Sequence, residues 1–310
     1  MVSKMNKNSV AFISHVWTPD IQRIFERLKS EAPPDHDVRF ILSSDASDTM
    51  PTSIANGHIH ICCSSILELP YSEKCQSGEW DINGNLDLVF LEFRRRLPDY
   101  QFYWFIEYDV HYEGRWSRFF ERFQDSKADL IGTTLEYISK IPHKLQTLSY
   151  PRLVVPETAE WNESRLIKGF FPICRLTASL LDALDLAYRA KIGGHYEIII
   201  PTVALQHDMA IEDIGGDGPF VQEQNRNCFY FANGASYTHS PGSFVFRPNI
   251  GQVLRRENTL WHPVKPAGIP AWHPLKMRGG LYQNTSEWIK LVVGRIWIRW
   301  WFATRWRPLG

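Results

Sequence analysis

The sequence predicts an α/β fold, a Rossmann-type mixed sheet flanked by helices, and three observations carry that expectation. Apolar runs of strand length alternate with amphipathic runs of helical length through the first 140 residues. The first strand, helix and strand follow one another at the spacing of a parallel crossover. At 44% apolar and 22% charged, a chain of 310 residues has ordinary globular composition, which excludes disorder and collagen.

Taken in order, VAFISHVW (10–17) reads as a buried strand. TPDIQRIFERLKSEA (18–32) has the Thr cap, early Pro and apolar spacing of a helix. VRFILSSD (38–45) is a second strand and IHICCSS a candidate third, followed by a polar loop through Asn83 and Gly84. NLDLVFLEFRRRL (85–97) reads as a helix, and FYWFIEYDVHY (102–112) as one aromatic strand running into charged residues. WSRFFERFQD (116–125) returns as a helix and ADLIGTTLE (128–136) as a strand. In the second half, FFPICRLT (170–177) leads into the helix SLLDALDLAYRAKIGG with its Gly stop, and HYEIIIPTVALQHDMAIED (195–213) reads as a further helix. From 214 to 285 Gly, Pro, Asn and aromatics predict loops and short strands laid over the sheet. There is no internal repeat, and neither a Gly-rich dinucleotide fingerprint nor a Walker loop. One continuous domain over 1–285 is expected, with a separate tail over 286–310.

Charge divides the chain in the same place. Lys plus Arg and Asp plus Glu both number 34, so no overall basic field draws the molecule onto nucleic acid. Yet residues 288–310 hold Lys290, Arg295, Arg299, Arg305 and Arg307 with no acid, together with Trp288, Trp297, Trp300, Trp301 and Trp306. As an amphipathic helix, this tail places Trp at lipid headgroup level and Arg toward anionic phosphates, which predicts attachment to a membrane surface. A tail packed on the protein, or on a second copy of it, is the plainer alternative. No run of about 18 uncharged apolar residues suggests a spanning helix. Five cysteines in no regular framework, and an amino terminus without a long apolar stretch, place the chain in the reducing cytoplasm, peripheral at the inner face of the membrane.

The sharpest chemical feature is the end of the aromatic strand, where Glu107 and Asp109 are one residue apart. Alternate strand residues share a face, so both carboxylates point to one side of the crevice at the carboxyl edge of the sheet. Hard oxygen ligands there suit Mg2+ or Mn2+, which clamp a diphosphate and neutralise a departing nucleotide. Solvated acids, or acids paired with Arg115 and Arg118, are the plain alternative. His58, His60 and Cys62 alternate in a way that superficially suggests zinc, but a fourth ligand is missing. Cys174 has no activating sequence neighbour and is expected in the core.

YWFIEYDVHYEGRWSRFF, GFFPICRLTASLLDAL, GGHYEIIIPT and LWHPVK together resemble a family of glycosyltransferase-like proteins of the GT-A type found in polysaccharide-building gene sets, over about residues 8–265. The resemblance implies a GT-A-like fold in which an Asp-x-Asp motif ends a strand and holds the metal bridging the phosphates of a nucleotide-sugar. Here the motif is Glu107-Tyr108-Asp109, which makes Asp109 the stronger ligand and Glu107 its helper. It implies also that His262, on a late loop, completes the metal site, and that Lys265 meets a phosphate as a point charge. The loops after the first two strands are expected to cup the nucleoside, with Ser14, His15 and Asp45 as contacts, although Ser-Ser-Asp is also plain turn chemistry.

A general base is sought in Gly193-Gly194-His195-Tyr196-Glu197, where an acid opens a helix after a flexible turn. Glu197 is the candidate and Asp213 the reserve; a favourable place in the helix macrodipole explains Glu197 equally well. The function expected is a metal-dependent, hexosyltransferase-like glycosyltransferase. It would move a sugar from a nucleotide-sugar donor, a UDP-sugar first, to a glycan or lipid-linked oligosaccharide acceptor in bacterial O-antigen or capsule synthesis, with inversion. The alternatives are a metal-dependent glycan or sugar-phosphate hydrolase and a non-catalytic, membrane-docked binding protein. No nucleic-acid partner is expected.

Overall fold

A computed structural model describes residues 8–43, 58–61, 65–66, 68–71, 85–140, 155–156, 162, 165–231, 242–245 and 256–266. Asp45, Cys62 and the whole basic tail over 286–310 lie outside the described residues. The described residues include nine strands and five α-helices. The strands are β1 (Asn8–Ser14), β2 (His36–Ser43), β3 (Ile59–Ile61), β4 (Phe102–Glu107), β5 (His111–Glu113), β6 (Leu130–Tyr137), β7 (Ile167–Thr177), β8 (Ile211–Asp213) and β9 (Thr259–Trp261). The helices are α1 (Pro19–Glu31), α2 (Leu86–Arg96), α3 (Trp116–Phe123), α4 (Ala178–Arg189) and α5 (Tyr196–Gln206).

Seven strands form a mixed sheet in the order β3-β2-β1-β4-β7-β6-β8. β1, β2, β3 and β4 run parallel, β7 runs antiparallel to both β4 and β6, and β8 pairs parallel with β6. This is the mixed α/β architecture that the alternating pattern predicts. β5 and β9 make a separate antiparallel ribbon.

The sheet is apolar on both faces because period-two alternation sends neighbouring residues to opposite sides. Ala11 and Ile13 of β1 and Tyr103 and Phe105 of β4 join the core beneath α2, α4 and α5. Val10, Phe12, Trp104 and Ile106 join the core beneath α1 and α3. α1 starts as its sequence requires: the Thr18 side chain accepts the Ile21 N–H at 3.2 Å and Pro19 occupies the first turn. All eleven residues of β7 are buried, as befits a strand with partners on both edges. Its Arg175 donates to the carbonyls of Phe123, Ser126 and Ala128 and lies 4.3 Å above the Phe102 ring, tying the α3–β6 connection to the sheet.

Two expected elements are broken, and both breaks shape the site. The aromatic run over 102–112 is not one strand: β4 stops at Glu107, the Val110 N–H returns to the Glu107 carbonyl at 3.0 Å, and the chain turns into β5. Asp109 therefore sits in a turn and not on the strand face. The run over 195–213 is not one helix. α5 ends at Gln206, Asp208 takes a left-handed φ of 53°, and the chain enters β8, where Ile211 registers with Leu130. Asp213 is thus a strand residue; parallel pairing with β6 outweighs the helical periodicity of the segment. No helix among the described residues is long and apolar enough to cross a membrane.

Candidate active site

The parallel strands β1 and β4 end side by side, the position at which open α/β sheets present ligand-binding groups. Glu107 closes β4, and Asp109 follows in a turn whose Tyr108 N–H is held by the Ile13 carbonyl of β1 at 2.9 Å. A distant segment is brought over this corner by the β5–β9 ribbon, in which His111 faces Trp261 and Glu113 faces Thr259. The Val264 N–H then bonds the Asp109 carbonyl at 2.8 Å. As a result Glu107, Asp109 and His262 each offer a ligand atom within 4.8 Å of the others, the one such group among the described residues.

The donor set fits a divalent cation on two observations. The His262 Nδ1 donates to the Val245 carbonyl at 2.8 Å, which leaves Nε2 as the ring nitrogen turned to the acids. That Nε2 lies 3.4 Å from Asp109 Oδ1. Asp109 is 2% exposed, and its Oδ1 finds no hydrogen-bond donor among the described residues. A cation bound there would satisfy the Asp109 oxygen and ligate through the ring nitrogen. The rings of Phe170 and Phe244 pack against the imidazole, 5.2 and 5.4 Å from the His262 ring.

Electrostatics divide the two acids. Burial, and then the Asp109 charge, push Glu107 up to about 7. Burial would raise Asp109 too, but His262 and Lys265 hold it well below the usual carboxylate range. Lys265 does so directly: its Nζ lies 2.5 Å from Asp109 Oδ2 and 2.7 Å from the Tyr108 hydroxyl. His15 is at the surface, its ring edge-on to Tyr108 at 5.1 Å, so it belongs to the same corner. Ser14 is buried and spends its hydroxyl on the following turn, donating to the Val16 carbonyl and accepting the Val16 N–H.

Glu197 opens α5, its side chain 12% exposed. The His195 Nδ1 accepts the Glu197 N–H at 3.4 Å and lies 3.7 Å from the carboxylate, so it caps the helix and makes no hydrogen bond to the acid from that nitrogen. Pro201, four residues on, has no N–H for the Glu197 carbonyl. Burial, then the charge of Glu107, raise Glu197 to about 8, and Lys168 opposes them. Lys168 is a site residue that sequence reasoning missed. It lies on β7 opposite Glu136, wholly buried, and burial lowers it to about 7 against the pull of Glu197 and Glu136. A lysine in the apolar run IKGFFPIC was the available signal.

Asp213 is apart from this group. Its Oδ2 accepts the Leu135 N–H at 2.8 Å, and its Oδ1 accepts the Gly215 N–H at 3.1 Å and the Tyr230 hydroxyl at 2.7 Å. His58 stacks on Phe40 at 5.3 Å, His60 is exposed, and Cys174 lies wholly in the core.

The chain matches no protein-family model and no curated protein sequence. Among solved structures it is similar to mouse xyloside xylosyltransferase 1 in its apo form, at 12% identity and a TM-score of 0.38, covering 68% of this chain and 86% of that one. It is similar also to the mannosyltransferase Ktr4p from S. cerevisiae, at 13% identity and a TM-score of 0.37, covering 67% and 68%. The bifunctional IspDF from Campylobacter jejuni shares 12% identity at a TM-score of 0.35, with 71% of this chain spanning 50% of that one. Likenesses this distant carry no chemistry from those proteins to this one.

Proposed function

We propose that this chain is a metal-dependent glycosyltransferase that moves a sugar from a nucleotide-sugar, a UDP-sugar first, to a glycan or lipid-linked oligosaccharide acceptor in bacterial surface polysaccharide synthesis. The observation that carries the reading is the Glu107–Asp109–His262 corner at the end of β4, where a buried Asp109 oxygen with no hydrogen-bond donor among the described residues lies beside the Nε2 of an anchored imidazole. Asp109, Glu107 and His262 would hold Mn2+ or Mg2+. When bound, the cation supplies charge to stabilise a departing nucleoside diphosphate.

The chain's own residues do the rest. Glu197 takes the proton from an acceptor hydroxyl as that oxygen bonds the anomeric carbon, while the bond from that carbon to the diphosphate breaks with its electron pair on the leaving oxygen. One base and one stabilised leaving group suffice for direct displacement with inversion. Burial and Glu107 make Glu197 a stronger base than an exposed carboxylate, and Lys168 limits how far its pKa climbs. His15 and Ser14 lie at the end of β1, on the side assigned to the nucleotide, and Asp45 is assigned to the ribose. The tail over 286–310 is assigned to a membrane surface, where a lipid-linked acceptor is presented.

A panel of nucleotide-sugars tested for Mn2+-dependent thermal stabilisation examines this directly, because a ligand bound only by the folded state raises stability by mass action. A donor that stabilises the parent and not Asp109→Ala is the expected result. If no nucleotide-sugar stabilises the parent, or if Asp109→Ala responds equally, the assignment fails.

A further inference from the structure

Lys265 does something in this corner besides wait for a phosphate. Its Nζ is 2.5 Å from Asp109 Oδ2, 2.7 Å from the Tyr108 hydroxyl and 4.7 Å from the centre of the Tyr108 ring. Two residues, Asp109 and Tyr108, thus hold one ammonium beside the buried carboxylate that faces His262. The backbone carries it there, since the Val264 N–H is bonded to the Asp109 carbonyl. A divalent cation reaching Asp109 Oδ1 therefore meets a carboxylate whose other oxygen is already engaged by a positive charge. Like charges at such range repel strongly inside a protein, where water screens them poorly.

We propose that Lys265 is an internal competitor of the metal, standing on Asp109 until a diphosphate-bearing ligand draws its ammonium away. Metal binding is then weak alone and strong together with that ligand, a coupling between two occupants of one corner. The inference rests on the metal reading of Glu107, Asp109 and His262. It adds that Lys265 sets the order of events: the cation and the diphosphate enter as partners, and the protein does not hoard the metal between turnovers.

The test is a titration of the full chain with Mn2+ alone, followed by electron paramagnetic resonance of the free ion. Lys265→Met removes the charge, and Lys265→Gln removes it while retaining a hydrogen-bond donor, which protects against loss of fold. Both are expected to bind Mn2+ about tenfold tighter than the parent, whereas Lys265→Arg, which keeps the charge, stays near the parent value. Inorganic pyrophosphate, with its own Mn2+ complex accounted for, is expected to strengthen Mn2+ binding to the parent and to help the neutral variants much less. Folded neutral variants that bind Mn2+ no better than the parent overturn the proposal. A parent that binds no Mn2+, with Asp109→Asn indistinguishable from it, overturns instead the metal reading beneath it.

Discussion

Two buried aspartates close two strand ends of this protein, and they are satisfied very differently. Asp213, at the end of β8, accepts from two backbone N–H groups and from the Tyr230 hydroxyl, which in turn accepts the Thr134 N–H at 2.7 Å. Asp109, in the turn after β4, has a cation on one oxygen and no donor among the described residues on the other. The first pins three segments together: β6, the Gly215 turn and the strand-like stretch at Tyr230. The second keeps one oxygen without a hydrogen-bond donor among the described residues, 3.4 Å from the His262 Nε2, where a cation would be held. A buried acid with every lone pair used is a structural part, whereas one held incomplete by its surroundings is a site.

Exchanging the losses of these two residues gives the largest expected effects. Asp109→Ala is expected to abolish Mn2+-dependent stabilisation and to lower sugar transfer by about a thousandfold or more, with a modest change in urea midpoint. Asp213→Ala is expected to retain Mn2+ binding and to lose about 3 kcal/mol in urea unfolding, because three buried donors lose their acceptor. A folded Asp213→Ala that no longer bound Mn2+ would erase the distinction. Next in size, Glu197→Gln should slow transfer by about 10²–10⁴-fold and leave the Mn2+ titration unchanged; a metal affinity that fell with the rate would move Glu197 into the ligand set. Tyr230→Phe sharpens the structural side: losing the hydroxyl between Asp213 and Thr134 should cost about 1–3 kcal/mol by urea denaturation, with no effect on metal titration.

The smallest effects concern Lys168 and are read as pH dependence. Its folded pKa of about 7 lies below the ordinary 10.5, so between those values the folded chain has lost a proton that the unfolded chain retains. Stability should therefore rise with pH across that window, and Lys168→Met should flatten the rise. Because Lys168 is itself largely neutral above about 7, its charge opposes the raising of Glu197 only at the foot of the ascending limb of kcat/KM, which Lys168→Met should move only slightly to higher pH. Lys168→Arg, charged throughout that range, should move the limb to lower pH. A limb that stayed put in a folded Lys168→Arg would separate position 168 from the base.

Apolar runs that end on caps and glycines are local properties, and they outlined most of the elements correctly. Thr18 and Pro19 open α1, Thr177 caps α4 by accepting the Leu180 N–H, and the fully buried β7 lies between two neighbours. Where the chain left local logic, the expectation failed. Glu107 and Asp109 were expected on one strand face, yet the fold brings them together through a turn tied to β1. The helix expected to run on to Asp213 stops seven residues earlier, because Ile211 to Asp213 find a parallel partner in β6.

Local pattern alone offered an acid at the end of an aromatic strand and an acid opening a helix as candidates, whereas His262 entered only through the family resemblance. Those choices depend on side-chain type and short spacing, which neighbours along the chain already express. Which of the acids is left wanting a partner was decided only in three dimensions. A hydrogen-bond donor from Tyr230, a carbonyl from Val245 and an ammonium from Lys265 arrive through strand pairing and loop return across many residues. In a closely packed interior a group's charge state and availability are set by what touches it, and no local pattern records that contact.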